Sequence, residues 1–223
     1  MPGAAGPLRL AHRGDHRRWP ENSLAALVAG ARAARSDGVE FDVRLTRDRV
    51  PVVIHDDTLE RVQGAMGHVA AMTAAELVQH AVPALADVLA ALPPAAFLDI
   101  ELKVVPGPET AAVLVSARGV TPERAVVSAF DPDALAAIGR LAPAWPRWAN
   151  VLWLDEAVIS RARDLGCRGI SAAWGAIDRH TAGLVADAGM DLAAWTVTRR
   201  PTYERLGRLQ VAAACVEGSL LDR

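Results

Sequence analysis

Two segments alternate strictly between apolar and charged residues, and this pattern restricts the possible folds more than any other feature. In residues 39–45 the charged residues are Glu40, Asp42 and Arg44, and in residues 98–104 the charged positions are 99, 101 and 103. Successive side chains of a β-strand point to opposite faces, so each segment predicts a strand with one apolar and one charged face. Such strands suit a half-exposed antiparallel sheet, or a sheet whose charged face forms a site.

The remaining sequence favours the second environment, because strand-like and helix-like segments alternate along it. The predicted strands lie at residues 8–12, 39–45, 52–55, 97–102, 125–128, 147–152, 169–171, 192–197 and 213–216, and the predicted helices at residues 22–35, 85–92, 109–117, 133–141, 155–165, 179–188 and 203–209. This rhythm predicts a parallel sheet covered by helices, and about eight units favour closure into a (β/α)8 TIM barrel. We expect a single domain over residues 1–223.

In a barrel with covered outer faces, the charged sides of both strands must point inward. Inward charges are costly unless they pair or hold a metal ion, and active sites of barrels lie at the carboxyl ends of the strands. Glu40, Asp42 and Glu101 offer only oxygen atoms as ligands. Such a set suits Mg²⁺, Ca²⁺ or Mn²⁺ and disfavours zinc. We therefore predict one divalent cation held by these three residues.

Two of the six histidines each close an apolar run, which places them at the predicted barrel mouth. His12 follows residues 8–11 and His55 follows residues 52–54. Imidazoles there can serve as the base that activates a nucleophile and the acid that protonates a leaving oxygen. Ligation of the metal by both histidines is an open alternative. The other four, His16, His68, His80 and His180, are interpreted as structural.

Two cations accompany these groups. Arg13, next to His12, offers a planar fork of donors suited to phosphate oxygens. Lys103 is the only lysine in the chain and shares a strand face with Glu101. Its compact ammonium group suits stabilisation of developing negative charge.

Composition excludes other classes of function. A net charge of −2 argues against nucleic-acid binding and against a polybasic membrane surface, and no apolar run reaches the roughly 18 residues of a membrane span. Residues 1–7 are too short for a signal peptide, and Cys167 and Cys215 match no metal or redox spacing. We expect a cytoplasmic protein without stable membrane anchoring, with both cysteines reduced in the core. The sequence carries no signal for an oligomeric state.

In order and spacing, the motifs of this chain resemble the signature of the glycerophosphodiester phosphodiesterase family. The resemblance covers most of the chain and rests on His12-Arg13-Gly14, Pro20-Glu21-Asn22, Glu40-x-Asp42, His55-Asp56, Glu101-x-Lys103 and, more loosely, Ser128-x-Phe130-Asp131-Pro132 and Trp195-Thr196-Val197. The chain departs from the family pattern in a short insertion after the second strand, at residues 64–83, and in Val216-Glu217-Gly218 where the family has Thr-Asp or Thr-Asn.

The resemblance implies a TIM barrel that hydrolyses a small-molecule glycerophosphodiester to an alcohol and glycerol 3-phosphate with a divalent cation. It implies His12 and His55 as the acid–base pair and the three carboxylates above as metal ligands. Arg13 and Lys103 would bind the phosphate, and Trp195 would wall the glycerol or head-group side of the pocket.

Three other functions compete with this interpretation. A related phosphodiesterase would act on a phospholipid such as sphingomyelin or lysophosphatidylcholine, and a metal-dependent aldolase barrel would not need two strand-end histidines. A non-catalytic barrel would be expected to lack at least one of the polar groups, and none is missing. Turnover of a phosphodiester with and without EDTA separates these possibilities.

Overall fold

Nine strands, eight of which form a closed ring, organise the structure. It is a computed structural model that describes residues 6–222. The strands are β1 (Leu8–His12), β2 (Gly38–Leu45), β3 (Pro51–Val53), β4 (Phe97–Leu102), β5 (Ala125–Ala129), β6 (Arg147–Val151), β7 (Gly169–Ala173), β8 (Asp191–Val197) and β9 (Ala213–Val216). All neighbours in the ring pair in parallel, and β1 closes it by pairing with both β9 and β2. The predicted (β/α)8 TIM barrel is confirmed.

Helices follow the ring strands and cover their outer faces. They are α1 (Leu24–Ala31), α2 (Glu60–Gln63), α3 (Ala74–Val78), α4 (Leu85–Ala91), α5 (Pro108–Arg118), α6 (Pro132–Leu141), α7 (Glu156–Asp164), α8 (Arg179–Asp187) and α9 (Arg200–Arg208). Side-chain caps begin several of them: Ser23 Oγ accepts from Ala26 N at 3.2 Å in α1, and Asp155 caps α7. No helix within residues 6–222 is both long and apolar enough to cross a bilayer.

The ring separates two kinds of interior. The outward faces of the strands pack under the helices in one large apolar core that includes Phe41, Leu98 and Ile100. Inside the ring, the amino-terminal end is filled by a smaller cluster in which Phe97 stacks on Trp148 with ring centroids 5.9 Å apart. The apolar filling stops below the carboxyl ends of the strands, which leaves that end for polar groups.

Two predicted elements differ from the structure. The helix predicted at 22–35 spans only Leu24–Ala31, because Asn22 adopts a left-handed φ of 59° and serves the site described below. The strand predicted at 52–55 is Pro51–Val53, and it pairs antiparallel with β2 outside the ring.

The segment between β2 and β4 also holds two short helices that the sequence analysis did not predict, α2 and α3. The predicted domain limits at residues 1 and 223 lie outside the described residues, as does most of the segment interpreted as too short for a signal peptide.

Candidate active site

Register brings the predicted charged residues together at the carboxyl end of the ring. His12 pairs with Glu40 between β1 and β2, and between β2 and β4 Glu40 pairs with Asp99 and Asp42 with Glu101. Paired positions on parallel strands point to the same side, so all five side chains enter the barrel.

The turn after β1 depends on an unusual backbone. Arg13 and Gly14 both have left-handed φ values, 55° and 82°, and a Cβ on Gly14 would lie 2.4 Å from the backbone of Ala26 in α1. Only glycine fits so close to a helix with this φ. The turn leaves the backbone N–H of Arg13 to donate to the Glu40 backbone oxygen at 2.9 Å. This geometry explains the His-Arg-Gly motif locally.

The three predicted metal ligands form one cluster. Each of Glu40, Asp42 and Glu101 offers a carboxylate oxygen, and these atoms all lie within 4.8 Å of one another. Glu40 and Asp42 are buried, and Glu101 is slightly exposed. Asn22 fixes Asp42, since its Nδ2 donates to Asp42 Oδ2 at 2.7 Å.

A fourth carboxyl group lies deeper on β4, at a position that the sequence analysis put on the inward face but did not assign to the site. Asp99 is buried, and Ser128 Oγ donates to its Oδ1 at 2.6 Å. Burial raises the pKa of Asp99 to about 7. Burial also raises the pKa values of Glu40 and Glu101. At Asp42 burial acts in the same direction, but Lys103 and Arg13 outweigh it and lower the pKa.

Both predicted phosphate-binding residues contact this cluster. Arg13 Nε lies 3.3 Å from Asp42 Oδ2, and Lys103 Nζ lies 3.2 Å from Asp42 Oδ1 and pairs with Glu101. Their charges are therefore shared with carboxylates, which the sequence analysis did not anticipate. Arg13 Nη1 also donates to Glu21 at 2.8 Å, which fixes the guanidinium plane.

Charge balance tests whether the cluster fits a cation. Four carboxyl groups, those of residues 40, 42, 99 and 101, face two cationic side chains, which leaves two negative charges when all four are ionised. A divalent ion would neutralise this excess, and an oxygen-only donor set matches the preference of hard cations. The residues present fit a divalent metal.

His12 is oriented by a carboxylate that directly follows the last strand of the ring. Its Nδ1 lies 2.6 Å from Glu217 Oε1, and its Nε2 lies 3.7 Å from Glu40 Oε2. Glu217 also lies 3.7 Å from His16 Nε2, so one histidine interpreted as structural borders the site. Hydrogen bonds with His12 and then His16 lower the pKa of Glu217 well below its usual value. Glu217 can accept a proton shared from Nδ1 of His12, which leaves Nε2 on the side of the cavity.

His55 reaches the same cavity from outside the ring. It does not close a barrel strand, as the sequence analysis assumed, but follows the antiparallel strand β3. Its Nδ1 lies 2.7 Å from Asp56 Oδ1, and Arg61 Nε donates to Asp56 Oδ2 at 2.5 Å. Burial, helped by Lys103 and Arg13, lowers the pKa of His55. A neutral imidazole at ordinary pH follows.

Trp195 forms one wall of the cavity. It points inward from β8, donates through Nε1 to the Ser171 backbone oxygen at 2.9 Å, and packs edge-on to Phe130 with ring centroids 5.4 Å apart. The cavity measures about 230 Å³ and is lined by both candidate histidines, Arg13, Lys103, Glu40 and Glu101. All the predicted site residues except Asp42, which is buried beneath it, line this one cavity.

The orienting partners Glu217 and Asp56 were not predicted as site residues. Glu217 directly follows the apolar strand Ala213–Val216, and Asp56 directly follows His55. The rule that singled out His12, a polar residue closing an apolar run, would also have selected Glu217. Its pairing with His12 required the closed ring, since 205 positions separate the two residues.

Comparisons with known proteins agree with this geometry. The sequence model of the Glycerophosphoryl diester phosphodiesterase family matches residues 12–218. A glycerophosphodiester phosphodiesterase of Caldanaerobacter subterraneus subsp. tengcongensis is 32% identical over 154 residues, which span 61% of this chain and 63% of that protein.

Solved structures extend the similarity over nearly the whole chain. A phosphodiesterase of Oleispira antarctica, in complex with the product sn-glycerol-3-phosphate, has a TM-score of 0.82 at 26% identity and covers 95% of this chain and 93% of its own. A glycerophosphodiester phosphodiesterase of Agrobacterium tumefaciens has a TM-score of 0.83 at 25% identity, covering 96% and 98%. With the family match spanning most of the barrel, the chain belongs to the glycerophosphoryl diester phosphodiesterase family.

Proposed function

We propose that this chain hydrolyses a glycerophosphodiester to an alcohol and glycerol 3-phosphate, using a divalent cation and two histidines. One observation carries the proposal: two carboxylate-oriented histidines face the same cavity as Glu40 and Glu101, two members of the carboxylate cluster that Asp42 completes from beneath. The activity named for the Caldanaerobacter relative and the product bound in the Oleispira structure support the choice of substrate.

The carboxylates Glu40, Asp42 and Glu101 would hold the cation. When bound, a divalent cation polarises a phosphoryl oxygen and offsets negative charge on the phosphate. The chain's own contribution is to keep these oxygens together. Asn22 does so through its hydrogen bond to Asp42, and Arg13 and Lys103 do so by pairing with the cluster. Mg²⁺, Ca²⁺ and Mn²⁺ all suit the donor set.

The two histidines divide the proton transfers. One takes the proton from the attacking hydroxyl as its oxygen bonds to phosphorus, and the other protonates the alcohol oxygen as its bond to phosphorus breaks. His12 is suited to this work because Glu217 binds Nδ1 and leaves Nε2 towards the cavity. His55 has the matching arrangement with Asp56. Neither arrangement requires the histidines as metal ligands.

The substrate is held by the remaining groups of the cavity. Arg13 and Lys103 present positive charge beside the carboxylates, where phosphate oxygens would lie. Trp195 offers an apolar face to the glycerol carbons.

The test is release of glycerol 3-phosphate from glycerophosphocholine and glycerophosphoethanolamine, followed with a coupled glycerol-3-phosphate dehydrogenase. We expect turnover that EDTA abolishes and Mg²⁺, Ca²⁺ or Mn²⁺ restores. His12→Asn should remove it, whereas His180→Asn, on the exposed surface of α8, should not. Turnover that survives both EDTA and His12→Asn would overturn the proposal.

A further inference from the structure

His55 lacks the anchor that fixes the other predicted site residues. Those residues lie on ring strands or directly after one, where parallel pairing sets their positions. His55 instead follows β3, which pairs antiparallel with β2 outside the ring. Two hydrogen bonds tie its backbone region to β2, from Ile54 N to the Asp42 backbone oxygen at 3.0 Å and from Arg44 Nε to the His55 backbone oxygen at 2.8 Å. Neither bond involves the imidazole, so the orientation of the ring depends on side-chain contacts.

An arginine on α2 holds the carboxylate that contacts this imidazole. His55 Nδ1 lies 2.7 Å from Asp56 Oδ1. Arg61 donates to both oxygens of Asp56, from Nε to Oδ2 at 2.5 Å and from Nη2 to Oδ1 at 3.0 Å. Within residues 6–222, the ion pairs of Asp56 involve only His55 and Arg61. The direction in which Asp56 presents its carboxylate to His55 therefore depends on Arg61.

The other side of the same guanidinium is tied to the barrel through Glu21. Arg61 donates to both Glu21 oxygens, from Nη2 to Oε1 at 2.6 Å and from Nη1 to Oε2 at 3.1 Å. Glu21 is itself fixed, because Arg13 Nη1 donates to it at 2.8 Å and the backbone N–H of the adjacent Asn22 donates to the Arg13 oxygen at 3.0 Å. A continuous path of contacts thus connects the turn after β1 with His55.

Burial and geometry favour a role in positioning for this path. The Arg61 side chain is 50% exposed, and ion pairs at exposed positions contribute modestly to stability. The carboxylates of Glu21 and Asp56 are only 16% and 22% exposed, and each accepts two bonds from one planar fork. Paired, charge-assisted bonds of this kind fix direction as well as distance.

We propose that Arg61 is a positioning residue that sets the His55 imidazole against the reacting phosphate by joining Asp56 to Glu21. This inference rests on the proposed function, in which His55 carries a proton. Arg61 lies outside the lining of the catalytic cavity and acts through its neighbours. Arg13 has its own contacts with Glu21 and Asp42, which do not require Arg61. Loss of Arg61 should therefore slow the chemical step and leave phosphate binding nearly unchanged.

Steady-state kinetics of Arg61→Ala with glycerophosphocholine separates these two effects. Misplacing a catalytic group by about 1 Å can cost about 100-fold in rate, and the backbone bonds of His55 remain, so we expect kcat to fall by about 10- to 30-fold and KM to change by less than about threefold. The matched control is Arg47→Ala, an exposed arginine that pairs with Glu76 at 3.6 Å away from the cavity lining. It should keep the wild-type kcat and KM.

A double variant tests whether Arg61 acts through His55. Once the imidazole is removed there is nothing left to position, so adding Arg61→Ala to His55→Asn should lower kcat no further than His55→Asn alone. Nitrogen-15 shifts of the His55 ring provide a measurement that needs no turnover, and they should change in Arg61→Ala. Arg61→Lys keeps the charge without the planar fork, so it should recover part of both effects. The lysine variant also supplies these measurements if Arg61→Ala does not fold.

The outcomes separate this inference from the proposed function. Wild-type kcat in Arg61→Ala, independent losses from Arg61→Ala and His55→Asn, or unchanged His55 shifts would each overturn the inference and leave the proposed function intact. A rise in KM at constant kcat would assign Arg61 to substrate binding through Arg13, which also overturns it. Absence of turnover in the folded, Mg²⁺-loaded wild type would refute the proposed function, and the inference with it.

Discussion

Removing the carboxylate of Glu217 should impair catalysis while leaving the metal ligands in place. Glu217 Oε1 lies 2.6 Å from His12 Nδ1, and among the described residues Glu217 supplies the carboxylate that contacts this nitrogen. In Glu217→Ala the imidazole loses the acceptor that sets its ring orientation and tautomer. His12 Nε2, 3.7 Å from Glu40, would then carry the proton part of the time and could not act as a base.

The size of the effect follows from the bond. A hydrogen bond to a charged group contributes about 1.5–3 kcal/mol, and the Glu217 side chain is 29% exposed, which favours the lower half of that interval. Each 1.36 kcal/mol of transition-state stabilisation is about tenfold in rate. We therefore expect kcat/KM to fall by about 10- to 50-fold, mainly through kcat.

Conservative variants separate orientation from charge. Glu217→Gln keeps an acceptor oxygen without the charge and should recover part of the loss, whereas Glu217→Asp keeps the charge on a shorter side chain. Nitrogen-15 shifts of His12 report its tautomer directly, and titration with Mg²⁺ reports metal affinity. Glu204→Ala, at an exposed position of α9, is the matched control and should change neither.

Wild-type kcat/KM in Glu217→Ala would refute the reasoning. A fall in rate accompanied by an equal loss of metal affinity, with an unchanged His12 tautomer, would show that Glu217 supports the metal site instead.

Four further predictions concern the metal, the proton carriers, the single lysine and the acid limb of stability. EDTA should abolish activity, and restoration of activity by Zn²⁺ alone would contradict the prediction. Mg²⁺, Ca²⁺ or Mn²⁺ at about 100 times its Kd should add about 2.7 kcal/mol to the free energy of unfolding, which raises Tm by about 5–10 °C. Glu101→Gln should reduce this rise in Tm. Asparagine in place of either proposed proton carrier should lower kcat by about 10²–10⁴ with metal affinity unchanged; loss of the metal would favour ligation by histidine. Lys103→Arg should keep the fold and the metal but lose most activity, because a planar guanidinium is larger than the ammonium that pairs with the cluster; near-normal turnover would make Lys103 a bystander. Hydrogen bonds from Arg61 lower the pKa of Asp56 to about 2, and they lower that of Glu21 to about 2 together with Arg13 and against the effect of burial. The stabilisation from these ion pairs is complete above the ordinary pKa values of 3.8 and 4.5 and is lost as the pH falls to about 2. The difference in unfolding free energy between wild type and Arg61→Ala, measured in urea, should therefore shrink from pH 7 towards pH 2, and a constant difference would refute the assignment.

Local patterns predicted the parts of this site that lie within single strands. The alternation in residues 39–45 and 98–104 put Glu40, Asp42 and Glu101 on inward faces, and the parallel register of β2 and β4 brings them together. The alternation in sequence was enough to predict this cluster, because neighbouring strands of a barrel align their carboxyl ends and so bring their inward-facing residues together.

Long-range pairings were not accessible in the same way. The sequence analysis ended a strand at His55 and placed it in the ring, but β3 turns back against β2, and nothing in an apolar run of this length distinguishes parallel from antiparallel pairing. The predicted start of the helix at residue 22 was wrong for a related reason, since the helix begins at Leu24. Asn22 there binds Asp42 on the next ring strand, a tertiary contact that overrides helix propensity.

The closure of the ring by β9, which we call the seam, also brings Glu217 to His12. β9 lies between β1 and β8, and Glu217 follows it directly, while Arg17 and Asp222 add an ion pair of 2.6 Å near the same seam. During synthesis on the ribosome, residues 213–217 emerge after every other ring strand. Until they dock, β1 and β8 are open sheet edges and His12 lacks the Glu217 carboxylate, so the proposed proton carrier gains its orienting partner only when the ring closes.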